Sequence, residues 1–75
     1  MSLKKAMYDT ALAEFESKRD KALATARIYM ENPVGIGEHP QVIDEFIKQV
    51  ELAASADEAA HMLIDTFRDE ITIED

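Results

Sequence analysis

Between Leu3 and Met30 the residues Tyr8, Leu12, Phe15, Ala22, Ala26 and Tyr29 recur at alternating spacings of four and three, with Arg19 as the one charged member of the row. That period puts them on one face of a helix, and the alternation is that of a coiled-coil seam. A helix over about 3–31 follows, with Arg19 either laying its stem over apolar neighbours or pairing with an acid to fix the register of a partner helix. Glu14 with Lys18, Glu16 with Arg19 and Arg27 with Glu31 stand at helix-neighbour spacings, worth about 0.2–0.5 kcal/mol each. The second arm has two apolar faces. Ile43, Phe46, Ile47, Val50, Ala53 and Ala54 share one, and Ala60, Leu63, Ile64, Phe67 and Ile71 share another. The second face trails the first by about a quarter turn, whereas a strict heptad drifts by only ~20° per repeat. The arm therefore either supercoils strongly or breaks near Ser55, where Ser55-Ala56-Asp57-Glu58 has the form of a capping box. Ala53, Ala54, Ala56, Ala59 and Ala60 oppose a break, so one long or kinked helix over about 40–69 is favoured over two. The β-branched and acidic residues 70–75 are expected to fray.

Both glycines and both prolines fall in Asn32-Pro33-Val34-Gly35-Ile36-Gly37-Glu38-His39-Pro40. Asn32 can cap the first helix and Pro33 forbids its continuation, while Pro40 suits the first turn of the next helix. Gly35 and Gly37 tolerate positive φ, which lets Val34 and Ile36 turn inward. The predicted fold is all-α: an antiparallel helical hairpin forming a single domain over 1–75, with its loop at 32–39.

A chain of 75 residues buries only about 60% of the surface that its unfolded form exposes. It has no cysteine for a disulfide, and two histidines do not make a closed structural zinc site. Self-association is the cheapest remedy, so a homodimer is expected, two hairpins forming a four-helix bundle. The net charge of −8 is uneven. Residues 1–31 carry six basic and five acidic side chains, a net of +1, and residues 32–75 carry two basic and eleven acidic ones, a net of −9. Such an acidic balance opposes direct binding to nucleic-acid phosphates and to anionic membrane surfaces. Antiparallel packing would set the basic groups of the first arm beside the acids of the second, within one chain or across a dimer. No run approaches the roughly 18 apolar residues of a spanning helix, and a cytoplasmic location is expected.

Candidate chemistry is sparse. Gly35-Ile36-Gly37 ahead of a helix has a partial likeness to a phosphate loop, but the third glycine and the following lysine are missing and Glu38 would repel an anion. His61 with Asp57 and Asp65 shares one helix face, yet the outer two lie about 12 Å apart along the axis, too far for one metal ion. His39 reads as a cap, since the loop offers no Ser, Thr or Cys for it to activate. The pairs Asp44-Glu45, Asp57-Glu58 and Asp69-Glu70 point about 100° apart on a helix and do not face a common site. No enzyme activity, cofactor or metal is expected.

The run Asn32-Pro33-Val34-Gly35-Ile36-Gly37-Glu38-His39-Pro40 resembles the loop of a group of short, uncharacterised proteins of tailed bacteriophages, in which it joins a helix to a second, acidic helix. The resemblance implies a phage-encoded accessory or virion-associated protein and brings no catalytic residue. Ala53–Ala60 fits the group's second helix, whereas Met62-Leu63-Ile64 and the acidic tail depart from it. The expected role is a non-enzymatic interaction module, with Val34, Gly35, Ile36, Gly37, Glu38 and His39 as the candidate interaction loop and a host or virion protein as partner. Two other roles fit the composition: a structural assembly subunit, and an acidic mimic of nucleic acid that occupies a basic site on a host protein.

Overall fold

A computed structural model describes residues 2–31 and 40–74. Two helices, α1 (Leu3–Glu31) and α2 (Pro40–Glu74), pack antiparallel as a hairpin with extents of 55 × 18 × 14 Å. The predicted loop lies outside the described residues, Val34, Gly35, Ile36, Gly37, Glu38 and His39 included.

Local chemistry accounts for the bounds of each helix. The Ser2 hydroxyl oxygen accepts the backbone N–H of Lys5 at 3.0 Å, and the Ser2 carbonyl accepts that of Ala6 at 3.2 Å. Ser2 is thus an N-cap that satisfies one of the otherwise orphaned first-turn donors. From there α1 meets no Gly or Pro until its end. The second arm is one helix, unbroken at Ser55. The capping box is outcompeted because the alanines on both sides favour helix and because Ala56 and Asp57, inside that box, face α1. The arm also continues past the expected fraying point at 70, through Glu74. Ile71, buried against the N-terminal end of α1, holds those last turns.

The interface is a seam of small residues. Ala22 and Ala26 of α1 and Ala53, Ala56 and Ala60 of α2 are buried along it, and these five with Ile71 are the buried apolar residues among those described. On α1 the predicted row holds: Tyr8, Leu12, Phe15, Arg19 and Tyr29 are half-buried on either side of the two alanines. On α2 the inward row is Val42, Phe46, Gln49, Ala53, Ala56 and Ala60, again at alternating spacings of four and three. Alanine at the contact lets the axes approach toward the short end of the ~8–10 Å range for packed helices.

The exposures of its side chains correct the reading of the first apolar face of α2. Ile43, Ile47 and Val50 do share a face with Phe46 and Ala53, but they lie on its outer flank and are 52%, 48% and 44% exposed. A seam narrow enough for alanine has no room for them, so the bulky side chains line its edges. No large side chain among those described is fully buried, and the radius of gyration is 16.9 Å. A compact domain of this length would have about 11 Å.

Replacing Ala26 or Ala56 with Leu should force the helices apart and destabilise the hairpin by about 1–3 kcal/mol, read as a lower urea midpoint. Ser2→Ala should cost about 0.5–1 kcal/mol through the lost cap. An unchanged midpoint for both alanine variants would contradict a close-packed seam.

Candidate functional site

The same constraint that empties the core of large side chains builds a groove beside it. At the end of the hairpin away from the loop, Met7, Tyr8, Ala11 and Phe15 of α1 face Ala59, Met62, Leu63, Phe67 and Ile71 of α2 across a groove of about 600 Å³. Ala11 and Ala59 are too short to fill it. Met7, Phe15, Met62 and Phe67 form its walls, and Lys4 and Glu70 line it at its terminal end. Met7 and Met62 are 67% and 62% exposed. Thr66 donates its hydroxyl hydrogen to the Met62 sulfur at 3.4 Å, which helps orient that wall.

A second apolar area lies toward the loop end. Tyr29, Met30, Val42, Ile43 and Phe46 border a hollow of about 180 Å³, and Ile47 and Val50 extend it along α2. At 100° per residue, Ile43, Ile47 and Val50 sit about a quarter turn to one side of the inward row, and Ala59, Met62 and Leu63 about a quarter turn to the other. These flanks are not the two faces expected from the sequence: Ala60 and Ile71 of the expected second face are buried and Leu63 and Ile64 half-buried, while the two flanking surfaces lie about half a turn apart.

Between them lies an ion pair that crosses the seam. The Arg19 guanidinium donates to Asp57 at 3.3 Å and to Asp20 at 3.0 Å, with the Arg19 side chain 29% exposed. The bond to Asp20, then that to Asp57, raises the Arg19 pKa above its ordinary value, so the group is charged at every working pH. Arg19 turns to these acids instead of Glu16, and its bond to Asp57 marks the level of α1 against α2. Asp57 also stands 3.4 Å from His61 Nδ1, which lies 3.0 Å from the Asp57 carbonyl oxygen. His61 is an exposed side chain tied to its own helix. Lys5 with Asp9, Lys18 with Glu14 and Lys48 with Glu45 make exposed pairs within single helices, which contribute little.

Among the described residues no three His, Cys, Asp or Glu side chains gather in a way that could hold a metal ion. No described helix is long and apolar enough to cross a membrane. What the arrangement offers is apolar area with charged margins, which suits the apolar side chains of another polypeptide. Sequence reasoning passed over Met7 and Met62, which stand one position before Tyr8 and Leu63 of the two rows. Widening each row from two to three positions in seven, as a globular helix requires, would have included them. No protein family, curated protein or solved structure matches this chain.

Either single substitution, Arg19→Asp or Asp57→Arg, should lower the melting temperature, and the swapped pair Arg19→Asp/Asp57→Arg should recover most of the loss. A swapped variant that melts as low as the worse single one would show that the pair does not hold the register.

Proposed function

We propose that this chain is a non-enzymatic, small acidic helical module that acts by binding protein through apolar surface. The observation that carries the reading is the exposure of ten large apolar side chains, at 44–79%, on a hairpin in which none of the described large side chains is fully buried. Monomeric soluble proteins seldom leave contiguous apolar areas beyond a few hundred Å² uncovered, and larger ones mark interaction sites. The charge of −8 disfavours nucleic acid as the direct partner. If the loop resemblance holds, the module is a phage accessory protein working in the host cytoplasm on a host or virion protein.

A second reading, an assembly subunit, is favoured by the placement of two apolar areas on opposite flanks and at opposite ends. A molecule that is sticky at two separated places can join neighbours into a series when the contacts do not close.

Affinity capture from lysate of the native host tests the proposal, run with the wild type, the groove variant Met7→Glu/Met62→Glu and the loop variant Val34→Ser/Ile36→Ser, all at equal helicity. A protein retained by the wild type and lost by one variant is the expected result, and which variant loses it assigns the binding to groove or loop. Identical retention by all three would overturn the interaction reading.

A further inference from the structure

We infer that the groove between Met7, Phe15, Met62 and Phe67 is the seat of a second copy of this chain. In the dimer the two-fold axis runs parallel to the helices, and α1 of each copy lies over α2 of the other. The inference rests on the interaction reading above and names its first partner.

Area argues for a copy-sized occupant. The accessible surface is 5790 Å² for a mass of 8.4 kDa. A compact monomer of that mass would expose about 4,600 Å², and its unfolded chain about 12,200 Å². The hairpin thus buries about half of its unfolded surface, below the ~60% usual even for small domains, and carries roughly 1,200 Å² in excess. A standard interface covers about 800 Å² on each partner. One face-to-face contact between two hairpins removes an area of that order and places the methionine and phenylalanine walls inside a four-helix bundle.

Charge selects the orientation. Over Leu3–Glu31, α1 has six basic and five acidic residues, a net of +1, and over Pro40–Glu74, α2 has two basic and nine acidic residues, a net of −7. An arrangement that sets α2 against α2 brings two strongly acidic helices together. A two-fold axis parallel to the helices avoids this, because every neighbouring pair is then one α1 and one α2 running antiparallel, within a copy and between copies. The contact is isologous, so whatever α1 gains over the second copy's α2 is gained twice. Such an axis also preserves level along the bundle. Arg19 pairs with Asp57, so Glu14 is level with Met62, and in the dimer Glu14 of one copy comes alongside Met62 of the other.

The test uses the full chain. Sedimentation at tens of micromolar should give a dimer for the wild type and for Ile43→Glu/Ile47→Glu on the opposite flank. Met7→Glu/Met62→Glu replaces two exposed side chains, so it should keep its helicity while its dimer dissociation constant rises by at least about 100-fold, since each charge would be buried unpaired. The chain has no cysteine, so copies carrying Glu14→Cys and Met62→Cys can be mixed and oxidised. The mixed disulfide should dominate over either homodisulfide. A wild type that stays monomeric at ~100 µM, a dimer lost on Ile43→Glu/Ile47→Glu, or a dominant Glu14→Cys homodisulfide would each overturn the inference. If the wild type is monomeric yet the groove variant still loses a captured protein, only the self-partner is wrong; if no capture depends on groove or loop, the interaction reading falls as well.

Discussion

The alanine seam is the constraint on which the rest of this structure depends. A helix pair joined through methyl groups gains little from burial per residue, since the buried area of Ala is small. It gains proximity instead, and many of the larger apolar side chains stand at the margins, Ile71 excepted. The exposed methionines, isoleucines and phenylalanines are therefore a consequence of the packing mode, and the groove is the space left where Ala11 and Ala59 fail to reach across. Stability and surface chemistry share one cause here: the hairpin cannot bury its large side chains without giving up its close contact.

Charge completes what size begins. The alanines alone specify a sliding position weakly, because a methyl group fits any neighbouring gap about as well. Arg19, set between the alanines of α1 and the aromatics of its N-terminal half, reaches Asp57 only at one level. The charged member of an otherwise apolar row thus adds a restraint on register to that of the apolar members. Its cost is limited because the guanidinium keeps contact with water and with Asp20.

Much of the fold was legible in the sequence. The confinement of both glycines and both prolines to nine residues gives two breaker-free arms, and the row from Tyr8 to Tyr29 gives the face of α1. The second arm was harder because two criteria disagreed. Hydrophobicity drew Ile43, Ile47 and Val50 toward the seam, whereas the row that packs is Val42, Phe46, Gln49 and Ala53. Size of the partner decided the matter, and a single helix's pattern does not carry its partner's size. The tail misled for a similar reason: Ile71 has poor intrinsic helix preference but a buried seat against α1. Ser55-Ala56-Asp57-Glu58 has the letters of a cap, but the arm is the one helix that its alanines favoured, with Ala56 and Asp57 inside it. The groove was hidden because a stripe of two positions in seven leaves out the flanking methionines.

The antiparallel course of the two helices gives the molecule the mechanics of a zipper. Near the loop, Met30 and Ile43 are 13 residues apart in the chain, whereas Lys4 and Glu70 at the other end are 66 apart. Pairing near the loop closes the shorter span and so forms at the lower entropic cost. Pairing at the other end closes the longer span and so costs more. The groove occupies that end. A partner seated in it would grip both arms at once, so its binding would double as a clasp on the pairing with the longest span of chain.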